Sequence, residues 1–292
     1  MKQITQGRFK GERSLFASSE LRIDDAVFED GESPLKESRD IELHNCLFKW
    51  KYPLWYCDRV TADKCVLFEY ARAAIWYSND VEFNDTVIEA PKAFRRCKNV
   101  KIRNVAFHNA DETLWQCEGV SLENVGASHG AYFGMNCDGV EVDGLTLSGN
   151  YAFDGAKNVT VKNSRLITKD AFWNGENVTV SDSFISGEYL GWNSKDLTFI
   201  NCTIESLQGM CYIDNLKMIN CRLINTTLAF EYSSVEAELT GCADSVFNPG
   251  SGIIKAERIG ELIIERDIVD PSKTKIICKN IGKTSDRPEW KL

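Results

Sequence analysis

The chain has 292 residues, with 34 Lys and Arg against 43 Asp and Glu, a formal charge of −9. That acidic balance, with no basic stripe to neutralise phosphates, excludes the electrostatic footprint of a nucleic-acid partner. An apolar content of 43% excludes a disordered chain, and no run approaches the roughly 18 apolar residues of a membrane-crossing helix, so no membrane partner is expected.

The first residues, Met1-Lys-Gln-Ile-Thr-Gln-Gly-Arg8, lack the apolar core of a secretory signal, which predicts a cytoplasmic, reducing location. Residues 1–20 read as an N-terminal cap. An apolar-x-apolar unit then recurs, its first residue being Leu21, Ile41, Val60, Val81, Val100, Val120, Val140, Val159, Val178, Leu197 and Leu216, in steps of 19–21 residues. We call this residue the anchor. Two positions on stands a second apolar residue (Ile23, Leu43, Phe83, Ile102), the period-2 alternation of a strand with one buried face. Four positions on stands Asn, Asp or Gly (Asp25, Asn45, Asp85, Asn104, Asn163), and one position before it another such column (Asp80, Asn99, Asn158). Both predict bends, since these residues tolerate left-handed backbone and bond their own main chain. Seven positions on lies a further apolar column, Phe28, Phe48, Leu67, Ile88 and Phe107.

Each period therefore holds about three short strands and no room for a helix, and only coil-on-coil stacking can bury its apolar face. The sequence predicts an all-β, single-domain parallel β-helix with coils of 19–21 residues, stacked about 4.8 Å apart. The coils span 21–264; Ala237-x-Leu239 and Ile253–Ile264 read as the last two, and 265–292 as a C-terminal cap or tail. A leucine-rich-repeat horseshoe has a similar period, but it predicts Leu three positions before the anchor. Here that column holds Cys57, Ser78, Cys97 and Cys117.

The repeat resembles the pectate-lyase-like superfamily, which implies a right-handed β-helix over roughly residues 21–264. Two stretches, Gly31-Glu-Ser-Pro-Leu-Lys-Glu-Ser38 and Lys51-Tyr-Pro-Leu-Trp-Tyr56, further resemble an uncharacterised bacterial family of compact β-helix proteins. That family implies the fold and supplies no activity or site residue. The polygalacturonase and pectate-lyase catalytic signatures, such as Gly-His-Gly and Arg-x-Pro-x-x-Arg, are absent.

Nine of the eleven cysteines follow the period: Cys57, Cys97, Cys117 and Cys137 on one column, Cys46, Cys65, Cys202, Cys221 and Cys242 on another. There is no Cys-x-x-Cys, so they read as buried, reduced, small side chains rather than metal ligands, and no metal or cofactor is expected. His44, His108 and His129 occupy different coil positions and suggest no catalytic pair.

The remaining signal is an aromatic stripe. Five positions before the anchor stand Lys36, Trp55, Trp76, Arg95, Trp115, Met135, Asp154, Trp173 and Trp192; eight before it stand Tyr52, Lys92, Glu112, Tyr132, Tyr151, Asp170 and Tyr189. The charges interspersed in the first column predict that the stripe points outward, the alternative being that the Trp rings are half-buried edge packing. Trp55, Trp76, Trp115, Trp173, Trp192, Tyr132 and Tyr151 are the candidate ligand-binding residues. Arg95, Glu112, Asp154 and Asp170 are the candidates for acid, base and charge-stabilising roles. Planar rings and hydrogen-bonding charges suit a carbohydrate or glycoconjugate, to be bound or modified; the sequence does not decide whether there is catalysis. The alternative is a non-catalytic protein-interaction or homo-oligomer scaffold using the same stripe.

Overall fold

A computed structural model of the chain describes residues 1–288. It comprises two compact units, Met1–Asn150 and the stretch from Tyr151 onward. Each unit is a parallel β-solenoid. In the first, a six-residue strand and a two-residue strand alternate: Arg39–His44 then Leu47–Phe48, Asp58–Asp63 then Val66–Leu67, Asn79–Asn84 then Val87–Ile88. Anchor pairs with anchor in parallel register, Leu21 with Ile41, Val60 with Val81, Val120 with Val140. In the second unit Val159 pairs with Val178 and Leu197 with Leu216. The only helical element among the described residues is the 3₁₀ turn Pro271–Lys273, which removes the horseshoe alternative.

The apolar columns are buried as their alternation requires, and the rings within them stack: Phe9 on Phe28 at 4.8 Å, Phe28 on Phe48 at 4.5 Å. The bend columns are left-handed, with φ of 55° at Asp25, 53° at Asn104 and 50° at Asn163. Their side chains do something the sequence reading did not foresee. They bond to one another from coil to coil. In the first unit Asn124 Nδ2 donates to Asn104 Oδ1 (2.8 Å) and Asn104 to Asp85 (3.0 Å). In the second, Asn220 donates to Asn201 (2.8 Å) and Asn201 to Asp182 (3.0 Å). Asn163→Val should lower stability by about 1–2 kcal/mol, because a β-branched residue fits left-handed backbone poorly. A denaturant titration giving wild-type stability would show that the bend accepts such a residue.

Cys46, Cys57, Cys65, Cys97, Cys117, Cys137, Cys202 and Cys221 are buried free thiols. Their column selects more than small size. Cys137 Sγ donates to Leu114 O at 2.8 Å and accepts from Cys117 N–H at 3.3 Å. Ser78 Oγ does the same with Leu54 O (2.8 Å) and Cys57 N–H (3.0 Å). Where Cys or Ser stands on this column, its side chain closes the backbone at the corner. Cys242 departs from the expectation and is exposed. A register shift between Met218 and Cys221 displaces the following residues, and Cys242 pairs with Arg258 instead.

Three boundaries need correcting. Residues 1–20 are a coil, not merely a cap: Lys2–Thr5 pairs with the next coil, Lys2 opposite Leu21 and Ile4 opposite Ile23. The coil was hidden because Lys occupies its anchor, whereas the ladder needs only backbone N–H and C=O. The period also holds one step past Leu216, which pairs with Val235, so Ala237 is the second residue of the unit and not the first. Thr274–Ser285, read as part of a cap or loose tail, is a strand paired with Ser251–Ile263. The last four residues of that predicted tail, 289–292, lie outside the described ones.

The third side of each coil is not the regular strand expected. Among the described residues only Ile75–Trp76 and Phe94–Arg95 form strands there, because the columns eight and four before the anchor are left-handed (Tyr52 62°, Tyr56 56°, Tyr151 54°, Asp170 57°). Backbone bonds still cross between coils, for example Ile75 N–H to Ala93 O at 2.7 Å. This irregular side carries the aromatic stripe.

Candidate functional site

In the first unit the column six before the anchor points inward, with Leu35, Leu54, Ile75, Phe94 and Leu114 buried. The next residue therefore emerges on the outer face, and Trp55, Trp76, Arg95 and Trp115 follow one another up the coils. They are half-buried, not open to water as the charges in their column predicted. The reason is mutual contact. Trp55 lies flat on Trp76 (5.2 Å, 5°), and the Arg95 guanidinium sits 4.6 Å from the Trp76 ring and 4.9 Å from Trp115. Tyr52 covers Trp55 at 4.6 Å and Tyr132 approaches Trp115 at 6.0 Å. The indole N–H groups of Trp55 and Trp76 donate to Ala73 O (2.6 Å) and Lys92 O (2.8 Å). The ring faces are thus used within the fold.

The charges of this cluster are also engaged. Arg95 Nη2 donates to Glu112 Oε2 at 2.7 Å and Lys92 Nζ to Oε1 at 2.9 Å. Burial works against the charged form of Glu112, but its bonds to Lys92 and Arg95 outweigh burial and hold the carboxyl below its usual range. A carboxylate with both oxygens bonded and a lowered pKa is a poor acid or base at neutral pH. Arg95 and Glu112 serve here as a stacked ion pair.

The second unit is different. Tyr151, Lys169, Asp170, Trp173, Tyr189, Trp192 and Gln208 line a cleft of about 360 Å³. Trp173 meets Tyr151 edge-on (5.7 Å, 78°), Tyr189 meets Trp192 edge-on (5.5 Å, 90°), and the two indoles lie 6.2 Å apart at 35°. Trp173 N–H donates to Tyr189 O at 2.9 Å. Asp170 is the one fully buried residue of the lining, 1% exposed, which corrects its placement in an open column. Its Oδ1 is buried without a hydrogen-bond partner. Burial raises its pKa; Lys169 and a hydrogen bond from Tyr151 oppose this, while the Glu188 and Asp154 carboxylates add to it. Unlike Glu112, Asp170 has surroundings that favour keeping a proton. Asp154 does not line the cleft: its Oδ1 accepts from Asn174 at 3.0 Å and starts a side-chain ladder.

Lys169 and Gln208 were not singled out from the sequence, and Tyr189 only as a column member. Gln208 stands eight before Leu216, so extending that column one step finds it. Lys169 faces the cleft from outside the counted columns and is paired with Glu188 at 3.0 Å. Among the described residues no three His, Cys, Asp or Glu side chains cluster to hold a metal ion.

A carboxyl whose folded-state pKa is raised favours folding most below its unfolded value of about 3.9, and that contribution is lost as pH rises through the folded value. Asp170→Asn should therefore raise the melting temperature at neutral pH, with the gain vanishing in acid. Thermal melts across pH check this; a variant less stable at neutral pH would mean that the carboxylate is favourably bound.

The sequence model of a family described as "Protein of unknown function (DUF3737)" matches residues 2–277. The chain belongs to this family. No curated protein sequence matches this DUF3737 chain. Among solved structures it is similar to a mutant tailspike protein of E. coli bacteriophage HK620 in complex with a hexasaccharide, at 8% identity and a TM-score of 0.37 over 96% of this chain. It spans 65% of that tailspike chain, less than two thirds of its length. It is also similar to the surface protein and adhesin PfbA of Streptococcus pneumoniae, at 9% identity and a TM-score of 0.36, covering 97% of this chain and 89% of that one. These likenesses concern the fold alone.

Proposed function

We propose that the second unit binds carbohydrate in the cleft formed by Tyr151, Trp173, Tyr189 and Trp192. The observation that carries this reading is Asp170, a buried carboxyl with an unpartnered oxygen in the floor of an aromatic-walled cleft. Leaving a polar atom buried and unpaired costs about 1–3 kcal/mol, and a ligand hydroxyl reaching it would recover much of that. Aromatic walls with a few directional polar groups are the usual make-up of a small-ligand site. Gln208, whose Nε2 donates to Glu231 at 3.0 Å, adds a second polar residue to the lining.

A glycan array followed by titration of the hits tests the reading. Trp192→Ala should weaken binding about tenfold or more, equivalent to about 1.4 kcal/mol, with little change in melting temperature. Absence of any glycan hit, or a loss of stability as large as the loss of binding, would end it.

In the first unit one observation favours a protein partner instead. With the indole faces used internally, the stripe still offers Tyr56, 49% exposed and stacked on Tyr77 at 4.9 Å. An exposed tyrosine backed by a half-buried one suits a protein interface better than a sugar cleft.

A further inference from the structure

The cleft has an electrostatic asymmetry that narrows its ligand. Its one cation, Lys169, is already held by Glu188 at 3.0 Å. Asp170 beside it keeps an oxygen that no group among the described residues satisfies. Around that carboxyl stand two ring pairs set nearly at right angles, Tyr151 with Trp173 at 78° and Tyr189 with Trp192 at 90°. Rings so arranged offer both faces and edges to a guest, and their faces attract cations, more so when water is excluded. A neutral hydroxyl would satisfy the oxygen but would not stabilise the charged form of Asp170, which burial disfavours. An ammonium group would do both, and a buried charge is tolerated best when it is paired and hydrogen-bonded. A carboxylate-bearing sugar would instead bring a second negative charge to Asp170.

We infer that this cleft selects a protonated amine carried on a sugar ring, that is, an amino sugar whose nitrogen is not acetylated. The inference rests on the carbohydrate reading above: the walls take the ring and Asp170 takes the ammonium. Its order of preference is amino sugar, then neutral sugar, then uronic acid.

The test is calorimetric titration of the full chain with oligosaccharides of one length: glucosamine with free amines, the same sugar N-acetylated, and neutral glucose. Tetramethylammonium serves as a cation without a sugar. The free-amine oligomer should bind at least tenfold tighter than its N-acetylated counterpart, and Asp170→Asn should abolish that difference while the variant stays folded. Tyr189→Leu, which removes one wall without touching the carboxyl, should reduce the preference too, and it decides the matter if Asp170→Asn does not fold. Equal binding of all three sugars would overturn the amine inference and leave the carbohydrate reading standing. Binding of tetramethylammonium but of no sugar, lost in Asp170→Asn, would keep the cation site and overturn the carbohydrate reading. A preference for the free amine that survives Asp170→Asn would reflect general attraction to an acidic chain and would overturn the assigned site.

Discussion

Phe107→Ala is expected to lower the stability of the first unit by about 3–5 kcal/mol. Phe107 is 1% exposed and lies edge-on between Phe94 (6.3 Å, 76°) and Phe133 (6.2 Å, 70°). Phe94 in turn meets Phe83 edge-on at 5.3 Å. Truncation opens a hole at the centre of this ring series. The neighbouring coil cannot fill it, because the residue paired with Phe107 on that side is Ala127, a small side chain. Coils contact only their neighbours, so relaxation from farther away gives little help. Denaturant unfolding measures the loss. A cost below about 1 kcal/mol would show that the interior closes around the deletion.

Gly252→Ala should be nearly as damaging, by about 3 kcal/mol or more, through backbone strain added to overpacking. Gly252 has φ +110°, and an added Cβ would lie 2.0 Å from the Val235 carbonyl oxygen and 2.9 Å from its carbon. Neither side can yield easily, since Gly252 is paired in register with Val235 on one side and Thr274 on the other. Gly241→Ala is the internal comparison: φ is +98° but nothing lies within 4 Å of the added carbon. It should pay only the conformational cost, on the order of 1–3 kcal/mol. Thermal melts of the two variants separate collision from strain. Equal losses would mean that the carbonyl contact is relieved at no cost.

The solenoid was legible because its requirement is simple. Every coil must bury the same positions, so Leu21, Val81 and Leu197 recur on schedule and their columns proved buried. It failed to show where the backbone ladder continued without an apolar anchor, as at Lys2. The stripe was legible as a column, and of its two readings, open surface or half-buried packing, the rings follow the second. Charges at positions 36, 95 and 154 identify which side of the coil a residue leaves from. They do not report how a long side chain folds back once outside. Arg95 is accommodated between two indoles because a planar guanidinium stacks where an ammonium would not. Asp170 was placed in water on the ground that buried carboxylates are costly. The cost is real, and the raised pKa expresses it; what the sequence lacks is the cleft that gives the residue a use.

The side-chain ladders of the bends have a direction, and direction sets how they age. In these ladders the Asn side-chain N–H reaches back to an acceptor one coil earlier, as Asn193 does to Asn174 (2.8 Å) and Asn174 to Asp154 (3.0 Å). Asp can stand only at the first rung, because it accepts and cannot donate. Loss of the amide nitrogen from Asn174, converting it to a carboxylate, would leave Asn193 its acceptor but set two negative charges on consecutive coils at Asp154. Chemical damage of this kind is therefore polar: it opens the stack toward the N-terminal side of the altered rung and spares the rung above. The residue following Asn174 is Gly175, which gives a succinimide-forming backbone the least steric hindrance. The lifetime of the folded chain is thus written partly in which rungs keep their nitrogen.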